Sequence, residues 1–361
     1  MGGGREPEWA QEHVTRFSRS AIIGPMVPGA PEEARWFGSR PRRTLPASVF
    51  ERIVHTAFPH GRVAEVQPLG DGLRNANFKL RLDSIPEWIV LRVYEHDASL
   101  CRKEIDLIRL VGGTVPVPEV IHAEPRGLDE LPPFALMQYV DGISFRELRS
   151  SGDTEAIAQA AHSAGEILAA IGRSSFPKSG WLAPGPTVTS PLLEGADPMP
   201  RFVDRCLAST HLQPRMPAGL RDRTHRLVWS CAAQFARLAD DARLVHGDFN
   251  KRNLLVRAVA KRWSVAAVLD WEFAISGSPL ADLGNFLRYE RAAGPLVEPH
   301  FSAGYLNAGG TLPDDWRSLA RLVDLTALCE SLTHDQLPNT VIAELVELVR
   351  GTVENRDPHF G

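Results

Sequence analysis

Hydrophobic residues along the chain follow two different periods, and the change from one to the other divides the sequence. After Val63, apolar and polar residues alternate in short runs separated by turn residues, which is typical of half-buried strands. The predicted strands are Val63–Leu69, Asn77–Leu82, Trp88–Tyr94, Glu119–Ala123 and Phe134–Tyr139. One helical pattern, Ser99–Val111, lies among them, so this part is predicted to be a small, mostly antiparallel sheet that carries one main helix.

Beyond Asp141 the apolar spacing becomes mainly helical. The clearest predicted helices are Thr154–Ile171, Leu220–Ala239, Leu280–Arg288, Trp316–Leu332 and Val341–Val353. Two short apolar runs, Leu254–Val256 and Ser264–Leu269, interrupt them and are predicted to be strands. The segment from Ser174 to Pro200 is rich in Pro, Gly and Ser and too long for a plain connector, so it is either a lid or a packed surface loop.

Together these patterns predict an α+β fold with a small β-rich lobe and a larger, mainly helical lobe. Residues 1–45 are rich in Gly, Pro and Arg and are predicted to be an N-terminal extension. The small lobe is assigned to residues 46–140 and opens with a helix at Ala47–Phe58. The helical lobe is assigned to residues 141–361.

Composition narrows the classes of function. The 361 residues are 43% hydrophobic and carry a formal net charge of −4, so no positive field exists to hold nucleic acid. No apolar run approaches the roughly 20 residues that cross a bilayer. The four cysteines are far apart and form no Cys-x-x-Cys pair, which argues against a disulfide frame or a zinc site. We therefore expect a cytoplasmic protein, monomeric or homodimeric, without a nucleic-acid or membrane partner.

Two carboxylates follow closely after buried strands. The apolar run Ala266–Leu269 leads directly into Asp270, and Leu244–Val245 leads towards Asp248. A carboxylate at the end of a buried strand is costly unless a cation meets it. Two such residues separated by a short hairpin therefore predict a shared cation, whereas the alternative is a pair of surface loops with turn-capping aspartates.

Asn253 lies between these two carboxylates, five residues after Asp248. Mg²⁺ prefers hard oxygen ligands and usually takes one or two from the protein, with phosphate oxygens and water completing the shell. Asn253 offers an amide oxygen and Asp270 a carboxylate, which leaves Asp248 to accept a proton from a substrate hydroxyl. That division of roles is the one that phosphoryl transfer needs, because the protein mainly positions groups and neutralises charge.

Three segments of the sequence carry a family resemblance. The segment His246–Leu255 resembles the catalytic loop of the aminoglycoside phosphotransferase and choline kinase superfamily. Leu269–Glu272, which reads Leu-Asp-Trp-Glu, resembles the segment that replaces the Asp-Phe-Gly motif of protein kinases in that superfamily. Gly277–Gly284 is also similar to the family, and the resemblance as a whole covers about Val63 to Val353. It implies a protein-kinase-like fold with two lobes.

The resemblance also implies roles for individual residues. Asp248 would be the catalytic base, and Asn253 and Asp270 would hold Mg²⁺. His246 would support the catalytic loop structurally, and Asp282 would anchor that loop through hydrogen bonds at the start of a helix.

The sheet is then expected to bind the nucleotide, ATP or GTP. The loop between the first two strands, Leu69–Phe78, is similar to the family's phosphate-covering loop and contains Gly70, Gly72 and Asn75. Glycines allow backbone N–H groups to approach phosphate oxygens closely. Taken alone, the loop also fits an ordinary hairpin turn.

In kinases a lysine on the third strand grips the phosphates and pairs with a glutamate on the next helix. Here the corresponding position on Trp88–Tyr94 holds Arg92, which keeps the charge but presents a planar fork. Glu104 falls on the apolar face of the helix Ser99–Val111, where a carboxylate needs a buried cation. We predict that Arg92 and Glu104 pair, the alternative being that Glu104 reaches solvent at the edge of that face.

The segment after the last strand of the sheet resembles the hinge between kinase lobes. Its backbone groups would hydrogen-bond the purine, and the candidate positions are Met137, Gln138, Tyr139 and Val140. The alternative is an edge strand that simply leaves the sheet.

The sequence gives weaker indications of where the acceptor binds. From Asp282 to the end of the chain there are 12 acidic and 6 basic residues, which suits a polycationic acceptor and equally suits solvated acidic helices. Asp324 and Glu330 lie on a predicted helix that is apolar nearly all round, so each either contacts a substrate amine or pairs with an internal arginine. Glu272 and Glu290 are further candidate substrate contacts.

The resemblance therefore implies a kinase that moves the γ-phosphate of ATP or GTP, with Mg²⁺, to a hydroxyl of a small and possibly cationic molecule. An aminoglycoside or other antibiotic is the first acceptor hypothesis, which would make the protein a resistance kinase. A metabolic kinase for an amino alcohol such as choline or homoserine is the alternative, and a catalytically silent nucleotide-binding protein is the second.

Overall fold

The computed structural model describes residues 45–69, 75–95, 97–290 and 295–354. Its first layer is a five-stranded antiparallel sheet with the strand order β1-β2-β3-β5-β4. These strands are β1 Val63–Pro68, β2 Asn75–Leu82, β3 Trp88–Tyr94, β4 Val120–Glu124 and β5 Phe134–Gln138. Alternating residues of β2 and β3 are buried against the first helix of the described residues, where Phe50 packs edge-on against Phe78 with ring centroids 5.0 Å apart.

Eleven α-helices occur in the described residues, and nine of them follow the sheet. They are α1 Ala47–His55, α2 Ala98–Val111, α3 Phe145–Ser151, α4 Thr154–Ile171, α5 Pro198–Leu207, α6 Ala218–Ser230, α7 Ala232–Ala236, α8 Leu280–Leu287, α9 Glu298–Asn307, α10 Trp316–Ser331 and α11 Asn339–Val353. None of the described helices is long and apolar enough to cross a membrane.

Two small sheets connect the helices to the site. One contains β6 Ile143–Ser144, β10 Leu254–Val259 and β11 Arg262–Val268; the other contains β7 Gly180–Ala183, β8 Thr187–Ser190, β9 Arg243–Val245 and β12 Ile275–Gly277. The hairpin β10–β11 joins the two predicted functional carboxylates, Asp248 before it and Asp270 after it. Because both strands are buried at the ends nearest these residues, the hairpin holds the two carboxylates at one edge.

The core continues from the sheet into the helical lobe. Apolar residues of α2 and β5, among them Ile105 and Met137, belong to the same buried cluster as α4, α8 and α9. Helices α4 and α9 approach closely because both carry glycine at the contact: a Cβ on Gly165 or Gly304 would lie about 2 Å from a backbone oxygen of the opposite helix. One of the buried clusters therefore continues beneath the cleft from the sheet into the helical lobe, which restricts how far the two lobes can shift.

The sequence patterns and the structure agree for most elements and differ in three places. The predicted helix Leu220–Ala239 is broken at Cys231, whose backbone (φ −102°, ψ 14°) leaves the helical region without any Gly or Pro to signal it. The segment from Ser174 to Pro200 contains the hairpin β7–β8, which pairs with β12, so it is packed onto the lobe. Helices α3, α5 and α9 were not predicted: α3 has only 7 residues, α9 has a weak amphipathic pattern, and α5 begins within a segment rich in proline.

Candidate active site

The chain turns sharply where β9 ends. Gly247 has a φ of 81°, and a Cβ at this position would lie 2.3 Å from the carbonyl oxygen of Phe273. Only glycine adopts this conformation beside a neighbouring backbone without strain. Gly247 therefore fixes the turn that presents Asp248, the predicted catalytic base, at the end of a buried strand.

Asp282 lies in the first turn of α8 and is fully buried. Its carboxylate accepts hydrogen bonds from the backbone N–H groups of His246 (2.7 Å) and Gly247 (3.0 Å). Burial raises the pKa of Asp282 to about 7, and the two N–H groups oppose that shift because they favour the ionised form. Asp282 thus connects the turn after β9 to the start of α8. This is the position at which the family resemblance implied a residue that anchors the catalytic loop.

The imidazole of His246 is fully buried within the same loop. Its Nδ1 accepts the backbone N–H of Asp248 at 3.2 Å, so Nε2 carries the proton and donates to the carbonyl oxygen of Leu269 at 3.0 Å. Burial lowers the pKa of His246 to about 4, which keeps the ring neutral at pH 7. His246 therefore links the Asp248 turn to the chain just before Asp270.

The carboxylate of Asp248 is held from both sides by amides. Asn253 donates to Oδ2 at 2.8 Å, Asn250 donates to Oδ1 at 2.7 Å, and Asn285 of α8 approaches Oδ1 at 3.5 Å. Burial raises the pKa of Asp248 to about 6, and the nearby charge of Asp270 raises it further. The group is therefore oriented, ionised at neutral pH and basic enough to accept a proton.

Asp270 follows β11 in a left-handed conformation with a φ of 70°, which is uncommon for a residue with a side chain. The backbone N–H of Leu269 donates to the carbonyl oxygen of Asn253 at 2.8 Å, which brings the two predicted metal ligands together. The side chain of Asp270 is 35% exposed, in contrast to its buried neighbours. Strain at such a position is usually retained for a functional reason.

The donor set fits a hard cation such as Mg²⁺. The amide nitrogen of Asn253 donates to Asp248, so its Oδ1 is the atom left to bind a metal, beside a carboxylate oxygen of Asp270. Within the described residues there is no group of three or more His, Cys, Asp or Glu side chains that could hold a metal ion. Two protein oxygens are nevertheless what Mg²⁺ commonly takes when phosphates supply the other ligands.

The predicted pair between Arg92 and Glu104 is present. The Nε of Arg92 lies 3.0 Å from a carboxylate oxygen of Glu104, and both side chains are buried. Arg92 also contacts Asp270, and the hydroxyl of Tyr94 donates to Glu104 at 2.6 Å. Burial raises the pKa of Glu104 to about 7, although Arg92 opposes the shift. The guanidinium of Arg92 on β3 therefore contacts both Glu104 of α2 and the predicted metal ligand Asp270.

Glu272 belongs to this end of the cleft and not to a separate substrate site. It accepts a hydrogen bond from Asn75 Nδ2 at 2.8 Å and lies 3.5 Å from Arg92. The ammonium of Lys103 on α2 donates to the backbone carbonyl of Glu272 at 2.9 Å. These contacts connect β2, α2 and the turn after Asp270, so Glu272 links the two lobes.

Two of the four predicted hinge positions already use their backbone N–H groups in the sheet. Gln138 donates to the carbonyl oxygen of Glu119 at 2.9 Å, and Tyr139 donates to that of Trp88 at 3.2 Å. Met137 lies within β5, where it pairs with Val90 of β3 and Val120 of β4, so Val140 is the remaining candidate for N–H donation to a purine, with the carbonyl oxygens of the segment as acceptors. Gly70 and Gly72 of the predicted phosphate-covering loop lie outside the described residues.

The other three predicted substrate carboxylates have partners within the protein. Asp324 accepts two hydrogen bonds from Arg288 Nε, at 2.8 and 3.0 Å, which is the internal-arginine alternative. Glu290 accepts the backbone N–H groups of Val297 (2.5 Å) and Glu298 (2.8 Å). A carboxylate oxygen of Glu330 lies 3.6 Å from Nε2 of His334, three residues beyond the end of α10.

Several residues around the cleft carried no signal in the sequence analysis. Asn285 reaches Asp248, Lys103 binds the turn after Asp270, and the buried ammonium of Lys251 donates to the carbonyl oxygen of Phe286. Asn285 lies on α8 three residues beyond Asp282, so helical spacing from a recognised residue was the one available indication. The others depend on tertiary contacts between distant segments.

Comparisons with known proteins agree with this architecture. The family model described as "Phosphotransferase enzyme family" (APH) matches residues 65–322, more than half of the chain. Human "Acyl-CoA dehydrogenase family member 11" is 30% identical over 100 residues, which are 28% of this chain and 12% of that protein. The chain thus spans only a small part of the length of this curated relative.

Solved structures of three phosphotransferases share the fold at low sequence identity. Aminoglycoside phosphotransferase APH(4)-Ia is 18% identical to this chain and has a TM-score of 0.62; the match covers 86% of this chain and 100% of that one. The GDP and kanamycin complex of APH(2")-IIIa is 19% identical, with coverage of 86% and 99% and a TM-score of 0.61. A fructosamine-3-kinase homologue from Thermobifida fusca YX-ER1 is 18% identical, with coverage of 86% and 100% and a TM-score of 0.58.

The family match encloses the elements that build the cleft, from Arg92 on β3 through the Asp248 turn to Asp282 on α8. The solved structures agree with it on the fold, a small antiparallel sheet joined to a larger helical lobe. The chain therefore belongs to the phosphotransferase enzyme family and has its two-lobed, protein-kinase-like fold.

Proposed function

We propose that this protein transfers the γ-phosphate of a nucleoside triphosphate to a hydroxyl group of a small molecule, with Asp248 as the general base. The observation that carries the proposal is the environment of Asp248. Its carboxylate is partly buried, is oriented by amide donors on both oxygens, and neighbours the carboxylate of Asp270. A surface aspartate that merely caps a turn needs none of these features.

In this proposal the acceptor hydroxyl gives its proton to Asp248 while its oxygen attacks the γ-phosphorus. The bond between that phosphorus and the bridging oxygen breaks, and the nucleoside diphosphate leaves. Asn253 and Asp270 would hold Mg²⁺, which neutralises charge on the phosphate oxygens when bound. Arg92, fixed by Glu104, would bind phosphate oxygens from the opposite lobe.

The nucleotide is ATP or GTP in our proposal, bound between the sheet and the hinge. Support comes from related structures: APH(4)-Ia was solved with AMP-PNP and hygromycin B, and APH(2")-IIIa with GDP and kanamycin. The hinge backbone around Val140 and the side chain of Arg92 would make the corresponding contacts here.

The acceptor is a separate question. The acceptors of those two structures keep an aminoglycoside among the candidates, with a small metabolic amino alcohol such as choline or homoserine as the alternative. A polycation needs available carboxylates, yet Asp324 is engaged by Arg288 and Glu290 by backbone N–H groups. This weighs against the antibiotic hypothesis and favours the metabolic alternative.

The test is a γ-phosphate transfer assay on a panel of hydroxyl compounds, with wild-type protein and Asp248→Ala. We expect Asp248→Ala to lower turnover about 10²–10⁴-fold, the usual contribution of a general base, while nucleotide binding in the presence of Mg²⁺ persists. Asp315→Ala removes an exposed surface carboxylate and is the matched control. It should leave turnover unchanged.

Two outcomes would contradict the proposal. Equal turnover by Asp248→Ala and wild type would show that Asp248 is not the base. Nucleotide binding by the wild type without any transfer or hydrolysis would favour the alternative of a catalytically silent nucleotide-binding protein.

A further inference from the structure

A cavity of about 240 Å³ lies beside the start of α8, away from the predicted catalytic base. Its walls come from the segment after α7, the start of β9, the residues that lead into α8, and parts of α9 and α10. Arg243 begins β9 and Asp248 follows its end, so the strand separates the cavity from Asp248. At about 30 Å³ per water molecule, the cavity holds about eight waters, which is room for one small metabolite.

Asp241 and Arg243 bring opposite charges to this cavity. They are two residues apart where the chain enters β9, and alternate side chains of an extended segment point to the same side. The two side chains nevertheless form no ion pair with each other. Neither has a hydrogen bond or an ion pair with any other residue that the structure describes. The cavity therefore has one carboxylate and one guanidinium that are both available to a ligand.

The hydroxyl of Tyr305 is close to both charges. Tyr305 lies on α9, lines the cavity and is only 2% exposed. Burial raises the pKa of this hydroxyl, Arg243 opposes the rise and Asp241 adds to it, so both charges act on one group. The hydroxyl remains protonated at neutral pH and has no hydrogen-bond partner within the described part of the chain. It is therefore a donor placed near Asp241 and Arg243.

Ser278 adds a second hydroxyl to the cavity wall. Its Oγ is buried and has no hydrogen-bond partner among the described residues, although the residue lies just before α8, where serine often caps a helix. A buried hydroxyl without a partner is unfavourable. A ligand that reaches this group would gain a hydrogen bond that the protein itself does not supply.

The other walls restrict the ligand further. Arg237 also lines the cavity, but its guanidinium is already paired with Asp315 at 2.7 Å. The two unpaired charges of the cavity are therefore of opposite sign and sum to zero. The apolar part of the wall is formed by Leu238, Pro279, Leu280, Pro313 and Leu319.

We propose that this cavity binds an α-amino acid with an aliphatic side chain. Its carboxylate would lie at Arg243 and Tyr305, its ammonium group at Asp241, and its side chain against the leucines. A simple anion would leave Asp241 facing a like charge, and a simple cation would do the same to Arg243, so a zwitterion is the class of ligand that matches both. The proposal concerns a site separate from phosphate transfer and does not depend on it.

The experiment is calorimetric titration of the full-length protein, without nucleotide, with leucine, isoleucine, valine and glycine. The N-acetyl forms, which lack the ammonium group, and the primary amides, which lack the carboxylate, are titrated alongside. We expect at least one aliphatic amino acid to bind with a stoichiometry of one. Its N-acetyl form and its amide should each bind at least about tenfold more weakly, because each leaves one charge of the site unmatched. Glycine should also bind at least about tenfold more weakly, because it lacks the apolar side chain.

Variants test whether the ligand occupies this cavity. Arg243→Gln and Asp241→Asn should each weaken binding of the amino acid at least about tenfold, with little change in melting temperature because neither side chain has a protein partner. Asp241→Asn should in addition lose the preference for the amino acid over its N-acetyl form. Tyr305→Phe removes only the hydroxyl and should weaken binding about 3- to 10-fold. Arg257→Gln, which removes an exposed arginine of β10, is the matched control and should bind as the wild type does.

Three results would overturn the inference. One is a panel in which no amino acid binds. Another is equal binding of an amino acid and its N-acetyl or amide form, because the two charges would then play no part in recognition. The third is unchanged affinity in both Arg243→Gln and Asp241→Asn, which would place the bound amino acid elsewhere on the protein.

Discussion

The two ends of the cleft are built in different ways. Around the catalytic turn, His246, Asp248, Asn253 and Asp270 flank the hairpin β10–β11 and are joined by hydrogen bonds between residues at most 23 positions apart. At the opposite end, where the acceptor would bind in the proposed function, Asn285 and Arg288 come from the end of α8, and Arg288 is fixed by Asp324 of α10. The first arrangement is set locally, whereas the second depends on how whole helices pack.

This difference implies that the residues proposed to transfer the phosphate and the residues at the end where the acceptor would bind can change independently in this fold. A change in the packing of α10 would alter the contact between Asp324 and Arg288 and leave the hydrogen bonds within the Asp248 turn in place. The anchor between the two regions is Asp282, which binds the turn through backbone N–H groups. Variants on either side of that anchor should therefore have separable effects.

The largest effect is expected from Asp270→Asn at the nucleotide end. An amide replaces the charged metal ligand, so we expect kcat to fall at least about 10³-fold, equivalent to about 4 kcal/mol of transition-state stabilisation. Steady-state kinetics over a range of Mg²⁺ concentrations measure this loss, and the Mg²⁺ concentration needed for half-maximal activity should rise. A variant with wild-type Mg²⁺ dependence would remove Asp270 from the metal site.

Arg92→Gln should have the next largest effect. It leaves Glu104 buried without its cation, and breaking a buried pair in this way costs about 3–5 kcal/mol of unfolding free energy. The KM for nucleotide should rise at least about tenfold because a phosphate contact is lost. Urea unfolding and nucleotide titration measure the two effects separately. Arg81→Gln, which breaks an exposed pair with Glu65, is the control.

The pH dependence of kcat/KM should report Asp248 in the free enzyme. Its pKa is raised to about 6 by burial and by Asp270, and the base acts only when deprotonated. The rate is therefore expected to be constant above about pH 7 and to fall tenfold per pH unit below about pH 6. His246, with a pKa lowered to about 4, should contribute no step between pH 5 and 8. A flat profile down to pH 5 would contradict this assignment.

The smallest effect is expected from Glu330→Gln. Glu330 lies on α10 near His334 and Cys206, within a core cluster that does not include the residues around Asp248. We expect kcat and the acceptor KM to change less than about twofold, although the melting temperature can shift. A tenfold rise in acceptor KM would show that Glu330 contacts the substrate after all.

The comparison also explains what the sequence could predict. The sheet strands and the paired residues Arg92 and Glu104 were predictable because strand alternation and helical spacing show which face each side chain occupies. Asp248 and Asp270 could be predicted as functional residues because each follows closely after a buried strand. All of these signals are local, within one element or between adjacent ones.

The acceptor end was not predictable for the same physical reason. Asp324 was expected on a buried helix, but nothing in its own helix shows that its partner is Arg288 rather than a substrate amine. The contact between Asn285 and Asp248 likewise depends on where the end of α8 packs against the catalytic turn.

The most direct test of the central claim is the position of the metal. Crystals grown with Mn²⁺ and a non-hydrolysable ATP or GTP analogue should show an anomalous peak about 2.1–2.2 Å from Oδ1 of Asn253 and from a carboxylate oxygen of Asp270, with phosphate oxygens as further ligands. Asp248 should lie beside the terminal phosphate without binding the metal. A metal held by other side chains, or an ordered nucleotide whose terminal phosphate lies far from Asp248, would contradict the account.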